Sequence, residues 1–384
     1  MKKNKPHLLY VVTVDWYFCS HRFELALAAQ KSGYQVSVAT NINKFSDKIK
    51  KARFGMYKVP FLRSMRKPLK DLMAIFVLFK IYYFKSPDVI HHISLKPILF
   101  GTLIARLCGC KNIVNTFTGL GYLYTDDLSE RVPMLRKVIR LILRWSFASN
   151  KVHAVVQNQD DMNVLLNEKI LKKEQLTLIR GSGVDTDIFD ETEELDDRTI
   201  KIIFASRLLK DKGIYEFIDA AKLLLKKDIN AEFLLAGSLD KDNLSAIDES
   251  TVKKWEQEGI VKWIGYQADM SKIFKGVNIV CLPSYREGLP RTLLEAAASG
   301  RAIVTTDVPG CREVVQDGVN GFLVPVKDSV KLADALEKLI NNKGLRKKMG
   351  QAGRAIVEDN FSNDIVIKQW LELYGQLMTT RSTF

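Results

Sequence analysis

Asn278-Ile-Val-Cys-Leu-Pro-Ser-Tyr-Arg-Glu-Gly-Leu-Pro-Arg-Thr-Leu-Leu-Glu295 is the stretch that decides how this 384-residue chain folds. Its apolar run, Asn278 to Leu282, reads as a buried strand, and Pro290 suits the opening of a helix. The turn between them carries Glu287, and Glu295 lies about one and a half turns into the helix. A strand, a turn and a helix in that order are the unit of an α/β fold. The amides at the helix start lack intrahelical partners and face the same crevice as the carboxylates, ready for an anionic group. Far upstream, Arg207 and Lys212 flank a second strand-to-helix turn. Carboxylates accept hydrogen bonds from vicinal diols, while arginine and lysine neutralise phosphates. The set therefore suits a sugar carried on a nucleoside diphosphate.

Outward from this stretch, short apolar runs alternate with longer amphipathic ones, the pattern of a parallel sheet covered by helices on both faces. His7 to Val14, Gln35 to Ala39, Asp88 to Ile93, Asn112 to Thr116, Val152 to Val156 and Leu176 to Ile179 read as strands. Ser20 to Lys31, Lys96 to Leu107 and Arg136 to Ala148 read as helices between them. From Asp185 to Thr199 the chain is acidic and without periodicity, as a solvated linker would be. The rhythm resumes with Lys201 to Ala205, Glu232 to Ala236, Val261 to Ile264, Asn278 to Leu282, Ala302 to Thr305 and Gly321 to Val324. The tail from Ser329 reads as helical, with a break at Asp359 to Ser362. Length alone favours more than one core. The expected division is a first domain over 1–185, a second over 186–361, and a last helix, 362–384, packing back on the first. Two such sheets would face each other across a cleft, since open α/β sheets bind ligands at the carboxyl ends of their strands.

A formal charge of +14 is unevenly spread, with 30 basic against 13 acidic residues up to Asp185 and 28 against 31 after it. A cationic first half points to an anionic partner surface. Ten basic residues between Lys44 and Lys70, Lys50, Lys51, Arg66 and Lys67 among them, face a single acid, Asp47. Phe45, Phe54, Phe61 and Leu62 lie among them and the apolar run Leu69 to Phe84 follows, so the segment suits an anionic bilayer surface. Nucleic acid is not expected, because no binding module accompanies the charge. Five cysteines in scattered positions fit neither a zinc site nor a disulfide framework and suit a reducing cytoplasm. Asp15 cuts short the only stretch resembling a signal peptide, and Lys80 interrupts the greasiest later segment, so no spanning helix is expected.

Four pieces together resemble the retaining glycosyltransferases of the GT-B fold, the family-four or group 1 type. They are Gly183-Val-Asp185 with Phe189; Arg207-Leu-Leu-Lys-Asp-Lys212-Gly213; Glu287 with Glu295; and Gly310 to Glu313 followed by Asp317-Gly-Val-Asn-Gly321-Phe322. The resemblance implies that Arg207 and Lys212 hold the donor diphosphate and that the amides around Arg291, Thr292 and Leu293 cap its distal phosphate. Glu295 would bind the ribose, and Glu287 would sit beneath the transferred sugar and offset charge at its anomeric carbon. Gly183 would bring linker backbone close to the donor. Read singly, Arg207 and Lys212 could instead pair with the neighbouring Asp211 and Glu216. The family also implies no side-chain nucleophile, no cofactor and no metal: the acceptor hydroxyl attacks on the face the phosphate leaves, helped by cationic groups and helix amides.

The first domain departs from the family's common patterns. Asp15-Trp-Tyr-Phe-Cys-Ser-His-Arg22 stands where many members have a glycine pair, and Phe117-Thr-Gly119 where many have a histidine. Contacts on the sugar or acceptor side are then expected from His21, His92, Lys96, Thr118 and Gly119, with His91 a core histidine. The segment His91 to Pro97 and the aromatic loop resemble a bacterial subgroup that extends lipid-linked saccharides. The whole implies transfer of an N-acetylhexosamine from UDP to a polyprenyl-diphosphate-linked saccharide in surface polysaccharide assembly, by a peripheral protein on the cytoplasmic face of the plasma membrane. The residues themselves leave UDP and GDP open. Two other readings compete: a GT-B sugar-nucleotide epimerase, and a basic nucleic-acid or membrane binding module with a degenerate site.

Overall fold

In the computed structural model, which describes residues 5–62, 68–120, 133–194, 199–240, 243 and 245–379, the chain divides into two units. Met1–Ser182 and Asp364–Phe384 form the first, and Gly183–Asn363 the second. The first holds a sheet of β1 (His7–Val14), β2 (Gln35–Asn41), β3 (Gly55–Lys58), β4 (Val89–Ile93), β5 (Ile113–Thr116), β6 (Val152–Val156) and β7 (Leu176–Leu178). The second holds β8 (Ile200–Ala205), β9 (Ala231–Ala236), β10 (Lys262–Trp263), β11 (Ile279–Leu282), β12 (Ala302–Thr306) and β13 (Gly321–Val324). Their orders are β3-β2-β1-β4-β5-β6-β7 and β10-β9-β8-β11-β12-β13. Every pairing between named strands is parallel. The fold is GT-B, with two doubly wound sheets. In each, the order reverses beside the first strand, between β1 and β4 and between β8 and β11, and these switch points are where such sheets take ligands.

Alternation along the strands of the first unit splits its core into two faces. Leu9, Val11, Ile90, Ile113 and Val152 pack on one side with the helices Pro68–Lys85, Thr102–Leu107 and Pro133–Phe147. Leu8, Tyr10, Val12, Val38 and Val114 pack on the other, with Ile49 of the short helix Ser46–Lys51 and with Val366, Trp370, Leu373 and Tyr374 of the last helix, Asn363–Thr379. That helix follows the break at Phe361 and completes a core that begins as far back as Leu8. Arg22 is buried there, its guanidinium 5.1 Å from the Trp370 ring and donating to Gly181 O at 3.3 Å.

Several expectations change. Asp15 to His21 is a helix rather than an aromatic loop, and the chain breaks at Arg22 before Phe23–Lys31. Asp15 heads it fully buried, accepting from the amides of Asn43 and Phe45 at 2.6 and 3.0 Å, so its carboxylate also fixes the turn after β2. The polar segment after Asp185 is not a free linker, because Phe189 is buried in the second core and Arg354 donates to Thr186 O and Phe189 O. Arg346 holds Glu194 at 3.0 Å in the same way. Phe54 and Phe61 are buried, not displayed among the lysines. β3, a short strand with no continuous apolar run, had no signal in the sequence.

Candidate active site

The turn after β8 and the turn after β11 meet at the switch point of the second unit. After β8 the chain passes Arg207 and makes one tight turn, Lys210–Lys212, before Gly213 opens the helix Ile214–Leu225 in a left-handed conformation (φ +74°). A Cβ at Gly213 would lie 1.9 Å from Pro283 O, so only glycine lets the two turns touch. Tyr285 N and Ser284 Oγ both donate to Asp211 O, at 2.9 and 3.1 Å, and lace the turns together. From the other side, a Cβ at Gly310 would meet the carbonyls of Gly288 and Glu287 at 2.6 and 2.7 Å. Three of the four sequence pieces are thus one physical cluster, with the Glu287 backbone pressed between glycine-dependent contacts.

Lys212 Nζ meets Glu287 Oε1 at 2.5 Å, with both side chains largely shielded from water. Arg207 meets Asp240, in the loop after β9, at 2.6 Å. Neither cation pairs with Asp211 or Glu216, the local acids. Asp211 instead accepts from Ser245 Oγ at 2.9 Å, and Glu216 accepts the Tyr285 hydroxyl at 2.6 Å. An ammonium has three donors and a guanidinium five, so both cations keep capacity for an anion while their carboxylate partners hold them in place. Asp240 and Tyr285 went unread in the sequence. Tyr285 lies inside the deciding stretch, but Asp240 is marked only by its place beyond a strand end.

The helix Arg291–Ala298 begins immediately after Pro290, whose extended backbone makes it the cap. Leu293 N–H is already spent on Pro290 O at 3.1 Å, so the amides of Arg291 and Thr292 are the ones at the helix start with no backbone acceptor among the described residues. The Thr292 hydroxyl is turned to Ala205 O at 3.0 Å, tying this helix to the carboxyl end of β8. Glu295 is buried and receives Arg291 Nε at 2.6 Å. Burial pushes its carboxyl above the ordinary range, with Arg291 opposing the shift. A charged acceptor held by one arginine at a sheet's switch point is suited to exchange that partner for a diol.

Gly183, expected to bring backbone toward a donor, lies at the crossing of the chain's two connections. Its φ is +78°, and a Cβ there would approach the Asn363 carboxamide oxygen at 2.6 Å. Val184 N–H donates to Phe361 O and Asn363 N–H to Val184 O, at 3.0 and 2.9 Å. The glycine is explained by this two-strand crossing.

On the first unit the expected contacts separate. His92 is wholly enclosed, bonded to Tyr82 and Asn115 at 2.8 Å each and lying so close over Gly101 that a Cβ there would sit 2.4 Å from its Nε2. Burial lowers its pKa to about 4, so it is a neutral core residue and not a contact for substrate. His91 is likewise core, bonded to Tyr374 and Thr116 at 2.7 and 2.6 Å. Lys96 is buried in an ion pair with Asp71 of the helix Pro68–Lys85 at 2.6 Å, which removes it as a free cation. His21 remains partly accessible, stacked on Tyr17 with centroids 4.1 Å apart. Thr118 and Gly119 are half-buried, and the next residue, Leu120, donates its amide to Asp161 at 3.1 Å. Arg66 and Lys67 lie outside the described residues. Among the described residues, no group of three or more His, Cys, Asp or Glu side chains is placed to hold a metal ion.

Comparison with known proteins matches both units. The model of glycosyl transferases group 1 matches residues 185–356, and that of glycosyl transferase 4-like proteins matches residues 7–159. The chain is 27% identical over 320 residues to the capsular polysaccharide biosynthesis glycosyltransferase CapM of Staphylococcus aureus, covering 80% of this chain and 82% of that one. It is 24% identical over 357 residues to the N,N'-diacetylbacillosaminyl-diphospho-undecaprenol alpha-1,3-N-acetylgalactosaminyltransferase of Campylobacter jejuni, covering 90% and 92%. Among solved structures, Anabaena HepE in complex with UDP and glucose superposes with a TM-score of 0.75 at 18% identity, over 96% of this chain and 99% of that one.

Proposed function

Because the chain belongs to the group 1 glycosyltransferases, we propose that it moves a sugar, an N-acetylhexosamine, from UDP to a polyprenyl-diphosphate-linked saccharide with retention at the anomeric carbon. The observation that carries the donor half is the Lys212–Glu287 pair at the switch point, at 2.5 Å, flanked by Arg207 and by Glu295. Arg207, Lys212 and the free amides of Arg291 and Thr292 would take the diphosphate, whose charge grows as the sugar leaves. Glu295 would accept both ribose hydroxyls. Glu287 would lie under the sugar, accepting from its hydroxyls and offsetting positive charge at the anomeric carbon. Its tie to Lys212 would couple the sugar end of the donor to the phosphate end, because one ammonium serves both. No metal is needed in this scheme, since arginine, lysine and amides already neutralise the leaving group.

Support for the acceptor half comes from the relatives. The Campylobacter protein carries a diphospho-undecaprenol substrate in its name, and CapM serves capsule synthesis. HepE was solved with UDP, which supports uridine. A lipid-linked acceptor used with a nucleotide-sugar donor would put the reaction at the inner face of a membrane, and the basic first unit suits that surface. Incubating the protein with radiolabelled UDP-N-acetylhexosamines and a polyprenyl-diphosphate saccharide tests the reading. The expected product is an extended lipid whose new linkage keeps the donor's anomeric configuration by NMR, formed equally well in EDTA. An inverted linkage rejects retention, and epimerised nucleotide-sugar without transfer favours the epimerase reading instead.

A further inference from the structure

We propose that the first unit docks on an anionic bilayer through the outer surface of three adjoining helices, Pro68–Lys85, Thr102–Leu107 and Pro133–Phe147, and not through the basic segment around Lys50 and Lys51. The inference deepens the lipid-linked acceptor reading, on which it rests.

The helix Pro68–Lys85 is apolar on two sides. Its inner side gives Ala74, Leu78, Ile81 and Tyr82 to the core. Its outer side presents Leu69, Leu72, Met73, Phe76 and Tyr83 at helical spacing, all more than half exposed. A soluble helix normally turns charge to that side. The rotation is fixed by the helix's one acid, Asp71, which points inward to the buried Lys96 at 2.6 Å and so holds the second apolar stripe outward.

The helix Pro133–Phe147 repeats the arrangement. Ile139, Leu143 and Phe147 face the same core, while Met134, Val138, Leu141 and Trp145 line an outer stripe, with Met134 77% and Leu141 68% exposed. Between the two helices, Thr102–Leu107 contributes Leu107, 69% exposed, and Arg106, whose guanidinium lies 3.9 Å from the Trp145 ring. All three pack on one face of the sheet, so their outer stripes share a surface. Contiguous exposed apolar surface of this kind marks an interaction site.

Charge selects the occupant. Lys70, Lys80, Lys85, Lys137 and Arg144 are exposed on these helices, and Asp71, already paired inside, is their only acid. Apolar stripes edged by lysine and arginine match an anionic lipid interface, where the side chains insert and the cations meet headgroups. A helix of 18 residues is about 27 Å long. No described helix is long and apolar enough to cross a membrane, so these would lie in the interface rather than span it. Lys50 and Lys51 belong to the helix Ser46–Lys51, whose Ile49 packs on the opposite face of the sheet. They cannot lie against the same flat surface.

The test is sedimentation of the full chain with vesicles of phosphatidylglycerol and phosphatidylcholine, alongside calorimetric titration with UDP. Leu72→Glu/Phe76→Glu and, separately, Met134→Glu/Leu141→Glu change only exposed positions and should each lower partition by roughly tenfold or more. Lys50→Gln/Lys51→Gln should change it by less than about twofold. The proposal is overturned if the helix variants pellet like the wild type, if Lys50→Gln/Lys51→Gln alone abolishes pelleting, or if the wild type pellets with no vesicle. It is also overturned if light scattering shows a dimer that the helix variants dissolve, because a second copy would then cover the face. UDP affinity kept by the non-pelleting variants supports a docking defect alone, whereas UDP failing to bind the wild type counts against the donor reading whatever the sedimentation shows.

Discussion

Glu287 and Glu295 are eight positions apart and sit in different surroundings. Glu287 is tied to a cation across two turns, and Glu295 is buried one helical turn beyond Arg291. If Glu287 contacts only the transferred sugar, Glu287→Ala should cut turnover by about a hundredfold or more while changing UDP affinity by less than about threefold. Steady-state rates beside calorimetric affinities separate the two, and equal losses in both would reject the division. Asp161 gives a prediction on stability. Burial raises its pKa to about 6, opposed by hydrogen bonds from Leu120 N–H and Asn158. The native carboxyl therefore keeps its proton up to about pH 6, whereas the unfolded one loses it near 3.9. Native protein holds the extra proton between those values, so this group's contribution improves as pH falls through 6 and is lost as pH rises. Asp161→Asn, which cannot ionise, should be more stable than the wild type by up to about 2 kcal/mol at pH 8, with the gap roughly halved at pH 5. Urea unfolding at both values checks this, and a less stable variant at pH 8 would contradict it. His92 shows why some residues mislead when read from sequence: histidine, lysine and aspartate attract functional readings, yet His92 and Lys96 have their partners inside the first core. Those partners, Tyr82 and Asp71, sit on a helix whose rotation no local pattern reveals.

At the scale of elements, turns rather than strands build the site. Gly213 combines a left-handed φ with a 1.9 Å approach to Pro283 O, so Gly213→Ala must move one turn away from the other. It should cost about 3 kcal/mol or more and weaken UDP binding along with stability. Denaturant midpoints and calorimetry on the variant test this; a fully stable variant with native affinity would show that the turns need not touch. The parallel strands were readable because buried on both faces they are continuous apolar runs, and twelve of the thirteen strands among the described residues fall where those runs predict. β3 was missed because an edge strand whose own residues are exposed or half-exposed carries no such run. Asp15 to His21 was missed as a helix because its aromatic residues and lone acid suggest a loop, whereas the Asp15 carboxylate is taken up by the amides of Asn43 and Phe45 in the turn after β2. These turns could be read because glycines, charges and a proline stand at set spacings; Asp240, the partner of Arg207, comes from the separate loop after β9 and could not.

At the scale of the molecule, the chain leaves the first unit at Ser182 and returns at Asp364, so its last helix belongs to the core it began. Trp370 and Tyr374 are buried against Tyr10, His91 and Arg22 in that core. Ending the chain at Asn363 should therefore unfold the first unit while the second, whose core is its own, still binds UDP. Hydrogen exchange resolved by unit, with a parallel titration, reads both effects; protection kept across residues 5–182 would deny the helix its role. The account rests most heavily on the second unit as a donor site, and calorimetric titration of the full chain with UDP, GDP and ADP tests this most directly. We expect UDP to bind in preference to the others, with Glu295→Ala and Arg207→Ala each weakening it by about tenfold or more, as expected for a charged hydrogen bond. No binding of any nucleotide, or UDP affinity unchanged in both variants, would contradict it.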